Sequence, residues 1–75
     1  MGKGIRKISN NVRELRQANG GITQQELAEM VGITRQTVIA IEASKYSPSL
    51  EVAFMIANAL GAKIDDVFFF AGSAV

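Results

Sequence analysis

Apolar residues return every three or four positions along most of this chain, the period at which a helix gathers them on one face. Around residues 10 to 19, Val12 and Leu15 share such a face, with Ile8 just before them, and Gly20-Gly21 can supply the left-handed residue that ends a helix. A second helix runs from Gln24 to about Val31, with Leu27, Ala28 and Val31 inward. It opens on Thr23, followed three positions later by Glu26, a pair whose hydroxyl and carboxylate satisfy free amides of the first turn. Gly32 breaks that helix, Ile33 follows, and Thr34 can cap a third from Arg35 to about Ala43. SKYSPS, residues 44–49, is a loop by composition, and Ser49 is placed to cap a fourth helix, Leu50 to Leu60, with Gly61 at its end. Asp65 and Asp66 suit the first turn of a short fifth helix carrying Val67 and Phe68. No stretch alternates at period two for long enough to argue a sheet, so the pattern predicts an all-α domain of five short helices. The closing FFFAGSAV fits either a strand or an irregular swapped tail.

The junction of the second and third helices carries the most information. Two helices crossing steeply over a short turn must approach closely, so the first needs a small residue at the contact, the turn a residue free of Cβ strain, and the second an apolar anchor. With Gln24 as position one, Ala28 is fifth, Gly32 ninth, Val38 fifteenth and Ile41 eighteenth, the spacing of a helix-turn-helix. Around it lie ITQ at 22–24, QELA at 25–28, TRQTVIA at 34–40, IE at 41–42 and PSLEVAF at 48–54. Together these resemble the DNA-binding domain of the Cro and phage-repressor type, or Xre-like, helix-turn-helix transcriptional regulators, over about residues 10 to 70. The resemblance implies a five-helix all-α domain acting as a homodimer on operator DNA. Outside it fall residues 1–9, a basic N-terminal arm, and 71–75, a C-terminal tail. Two departures stand out: the Gly20-Gly21 loop is one residue longer than usual, and Ala43-Ser44 replaces the common Asn-Gly after the third helix, removing a glycine that often adopts a left-handed conformation.

In such domains the N-terminal end of the second helix of the motif enters the major groove. That gives a use to the polar cluster Thr34, Arg35, Gln36 and Thr37, which a helix built only to fill a core would not need. Gln36 can pair bidentately with the N6 and N7 edge of adenine; Arg35 can do the same with guanine O6 and N7, or grip a phosphate. Ile39 and Ala40, one turn on and facing out, are placed to meet thymine methyls, and an apolar packing contact is the other use open to Ile39. Thr34 and Thr37 can donate to phosphate, Thr34 being equally suited to capping alone. Gln24 resembles the family's glutamine that touches phosphate and braces the recognition helix. Ser44, Lys45 and Tyr46 follow that helix where they can hold the DNA backbone, with Lys3, Arg6 and Lys7 adding an electrostatic arm. Glu42 would repel a duplex if exposed, and the resemblance implies a shielded structural ion pair with Arg16 instead.

Composition bounds the alternatives. With no cysteine and no histidine in 75 residues, disulfides, thiolate metal sites and the usual catalytic nucleophiles and bases are missing; neither an enzyme nor a cofactor is expected, and a cytoplasmic setting suits the chain. The longest apolar stretches fall well short of the roughly 20 residues that span a bilayer, so no membrane association is expected. The net charge of +1 hides an asymmetry: up to Gly20, Lys3, Arg6, Lys7, Arg13 and Arg16 face Glu14 alone. Hydrophobic residues make up 48%, more than five short helices need inside, and Phe54, Met55, Phe69 and Phe70 are the candidates for a dimer interface, with core completion equally open to Phe54. The leading function is a sequence-specific double-stranded DNA-binding repressor. Two others remain: an antitoxin-type regulator whose apolar surface also binds a protein toxin, and a protein-interaction module that keeps the fold without binding DNA.

Overall fold

Local chemistry starts the second, third and fourth helices where the spacing predicts. In a computed structural model, which describes residues 7–71, the helices are α1 Val12–Ala18, α2 Gln24–Val31, α3 Arg35–Glu42, α4 Leu50–Ala59 and α5 Ile64–Val67. The Thr23 hydroxyl accepts from the Glu26 amide while the Glu26 carboxylate accepts from the Thr23 amide, so both arms of the capping box close at α2. Thr34 and Ser49 cap α3 and α4 in the same way, through the amides of Thr37 and Val52. Gly32 ends α2 at φ +82°, a conformation that costs a residue with a Cβ about 1 to 2 kcal/mol, and the amides of Gly32 and Ile33 both close on the Ala28 carbonyl.

The helices bury one face each around a common centre. Val12 of α1, Leu27 and Ala28 of α2, Val38 and Ile41 of α3, Ile56 of α4 with Leu60 just after it, and Val67 of α5 are all essentially inaccessible to water. Ala28 is the small residue that lets α3 lie close against α2, and α2 in turn packs on α4. The orientation of α3 is therefore set by the core, leaving its opposite face uncommitted.

The five-helix architecture is joined by a two-stranded ribbon, whose second strand falls in the closing FFFAGSAV that fits a strand and whose first strand the sequence pattern does not show. Ile8–Asn10 (β1) pairs antiparallel with Phe68–Phe70 (β2), with Ile8 opposite Phe70, Ser9 opposite Phe69 and Asn10 opposite Phe68. Strands of three residues are too short for an alternation test, and their pairing joins segments some sixty residues apart, which no local window can see. The ribbon begins inside the stretch that reads as a basic arm, α1 consequently starts at Val12 and not near residue 10, and Phe68 opens β2 while still packing half-buried against the core. Lys3 and Arg6, and the tail beyond Ala71, lie outside the described residues.

Asn10 ties this ribbon to the helices. Its side-chain oxygen accepts from the Val12 amide at 3.1 Å, starting α1, and its side-chain nitrogen donates to the Ile41 carbonyl at 2.8 Å, in the last turn of α3. The ribbon is thus tied to α3.

Candidate nucleic-acid interface

With about 100° between successive helical residues, α3 has a defined outward crest. Val38 and Ile41 are buried, so the opposite direction falls on Gln36, with Ile39 and Ala40 to either side; Gln36 is exposed, Ile39 is 38% exposed and Ala40 half-buried. The Gln36 side chain makes no hydrogen bond to any of the described residues. Thr34 is otherwise engaged: its oxygen accepts from the Thr37 amide and lies 2.9 Å from the Thr37 hydroxyl. Arg35 falls about 20° from Glu42 around the axis, on the flank and not the crest.

That flank borders a cleft of about 760 Å³ whose walls are α1, the Gly21–Ile22 turn, the start of α2 and the start of α3. Arg16 and Glu42 form its floor. Arg16 Nε donates to Glu42 Oε2 at 2.6 Å and Nη2 to Glu42 Oε1 at 3.1 Å, while Nη1 donates to the Ile22 carbonyl at 2.8 Å. The two side chains are 10% and 9% exposed, so this pair is shielded and fully hydrogen-bonded, the condition under which a buried ion pair is tolerated. Gln24 Nε2 donates to Glu42 Oε1 at 3.0 Å, which joins α1, α2 and α3 in one network. Its negative charge is cancelled locally, so Glu42 does not oppose an approaching polyanion.

The far end of α3 resolves the question raised by the missing glycine. Ser44 takes a left-handed φ of +58°, its amide donates to the Ile41 carbonyl at 2.9 Å, and the Lys45 amide reaches the Ala40 carbonyl at 2.9 Å. These are the two bonds of a Schellman ending, made without glycine, so the backbone turn survives at the expense of strain. Ser44→Gly is expected to raise stability by about 0.5 to 1 kcal/mol, visible as a melting temperature a few degrees higher. An unchanged or lower melting point would mean that the Ser44 conformation costs nothing. The Ile41 carbonyl carries two donors, Ser44 and Asn10, so the ribbon pins the turn that presents Lys45 and Tyr46, both exposed.

The remaining site candidates divide by location. Gln24 and Arg35 lie in the cleft, whereas Gln36, Ile39 and Ala40 lie on the crest of α3. Phe54 and Met55 are exposed on α4 at 53% and 44%; Phe69 and Phe70 are exposed on β2, where neighbouring residues alternate between the two faces of the ribbon. Sequence reasoning passed over Leu50, 70% exposed and one turn before Phe54 on α4, and over Arg13 and Gln17, one turn apart on the α1 wall of the cleft. The i, i+4 spacing of both pairs was the available signal. Among the described residues no helix is long and apolar enough to cross a membrane.

Comparisons with known proteins agree with this geometry. The helix-turn-helix family model matches residues 12–67. A Methanothermobacter thermautotrophicus protein bearing the name "Uncharacterized HTH-type transcriptional regulator" is 61% identical over 49 residues, 64% of this chain and 71% of that one. Bacillus subtilis YgzD, named in the same terms, is 51% identical over 61 residues, 81% of this chain and 91% of the relative. A solved structure of a protein from Bacteroides fragilis shares the fold at a TM-score of 0.74 and 21% identity, covering 83% of this chain and 98% of that chain. The paired helices α2 and α3, the family model and these relatives together place the chain in the Xre-like helix-turn-helix family of DNA-binding transcriptional regulators, which are not enzymes.

Proposed function

We propose that the protein is a repressor that binds operator DNA as a homodimer and reads the major groove with α3. The observation that carries this reading is the crest of α3, where an exposed glutamine with no partner among the described residues stands between Ile39 and Ala40, on a helix whose other face is fixed by the core. A glutamine so placed can pair with the N6 and N7 of adenine, and the apolar neighbours suit thymine methyls. Arg35, on the flank, reaches either a guanine edge or the adjacent phosphate. Gln24, Thr34, Thr37, Ser44, Lys45 and Tyr46 surround the crest at the two ends of α3, where backbone contacts set register without carrying sequence information.

One α3 spans too few base pairs for useful specificity, and two copies about 34 Å apart would match one turn of duplex. The exposed apolar side chains of Leu50, Phe54 and Met55 on α4, with Phe69 and Phe70 on β2, offer a surface for the second copy.

Selection of bound sites from random duplex DNA tests both parts at once. The recovered sites are expected to be two-fold symmetric, and Gln36→Ala to lose preference at one symmetric pair of positions, a discrimination of roughly 1 to 3 kcal/mol. Asymmetric sites would rule out the homodimer, and uniformly weaker binding with unchanged preference would reassign Gln36 to the backbone.

A further inference from the structure

The cleft beside α3 contains more positive charge than its own fold uses. Three arginines and one glutamate line it; Arg16 is consumed by Glu42 and the Ile22 carbonyl, which leaves Arg13 and Arg35 uncompensated on opposite walls. Arg13 is exposed on α1, makes no ion pair among the described residues, and stands one helical turn before Gln17, whose amide lines the same wall. No other acid borders the cleft.

We propose that Arg13, with Gln17 beside it, is a binding site for a phosphodiester of the DNA backbone, making α1 a third contact element in addition to the ends of α2 and α3. The inference rests on the DNA-binding reading, because a strand can enter the cleft only when α3 lies in the adjoining groove. The open cleft admits a backbone segment, and a planar guanidinium grips two phosphate oxygens at once. Shielding of Glu42 matters here as well: with its charge neutralised by Arg16, the cleft attracts an anion instead of repelling it. Contacts of this kind are blind to sequence, so Arg13 adds affinity and register while Gln36 faces the bases.

The test is a salt titration of affinity for a duplex selected by the wild-type chain. Each neutralised phosphate contributes about 0.9 to the slope of log affinity against log salt. Arg13→Gln is expected to make the slope shallower by about that amount per bound copy, weakening all sequences alike, while Arg13→Lys keeps it. An unchanged slope in Arg13→Gln would overturn the site, as would a changed base preference or an equal loss in Arg13→Lys. A wild-type chain whose affinity does not depend on salt would instead overturn the DNA-binding reading, and the site with it. Arg13 is exposed, so these variants leave the core untouched.

Discussion

Replacing Arg16 with methionine is expected to destabilise the domain by roughly 3 to 5 kcal/mol, the usual loss when one partner of a buried ion pair is removed. Methionine restores most of the stem volume but none of the donors. Glu42 would keep its carboxylate in a site where its side chain is 9% exposed, with the Gln24 amide as its remaining partner in the network, and the Ile22 carbonyl would lose the Nη1 donor. For a chain of 75 residues the total stability is only about 4 to 11 kcal/mol at roughly 0.05 to 0.15 per residue, so the loss removes between about a quarter and all of it. Urea denaturation followed by circular dichroism measures this directly. The double substitution Arg16→Met with Glu42→Leu is expected to recover most of the loss, since it removes the stranded charge together with its partner. A single variant as stable as the wild type would show that water reaches the pair and screens it.

Leu27→Ala is expected to cost about 2 to 5 kcal/mol, the range for truncating a fully buried leucine. Leu27 is 0% exposed on α2, the helix that packs against both α3 and α4, so the cavity it leaves opens at the centre of the domain and cannot fill from solvent. Leu50 supplies the internal comparison: it is also on a helix, but 70% exposed, and Leu50→Ala is expected to change stability by no more than about 0.5 kcal/mol. Equal losses from the two substitutions would contradict the burial on which this contrast rests. A loosened α2 also loosens α3, which packs against it.

Much of this architecture is legible in short windows of sequence. Thr23 with Glu26, Thr34 and Ser49 each act within three residues of themselves, and all three caps form as their spacing suggests. The face of α3 follows equally from Val38 and Ile41, three positions apart, because burial of that pair dictates where Gln36 must point. Ser44 shows the limit of residue-type reasoning. Serine disfavours a left-handed φ, yet the two hydrogen bonds to Ile41 and Ala40 hold it there, since leaving two helix-end carbonyls unsatisfied costs more than about 1 kcal/mol of strain.

The sequence by itself determined the helices, their caps, the close crossing at Ala28 and Gly32, and the outward crest of Gln36, because each depends on residues within one or two turns of one another. Only the tertiary structure decided that Ile8–Asn10 pairs with Phe68–Phe70, that Asn10 and Ser44 share the Ile41 carbonyl, that Gln24 joins the Arg16–Glu42 pair, and that Arg13 and Arg35 line one cleft. Those relations join segments far apart in the chain, and their geometry is set by how the helices pack around Leu27, Ile41 and Ile56, which no local period encodes.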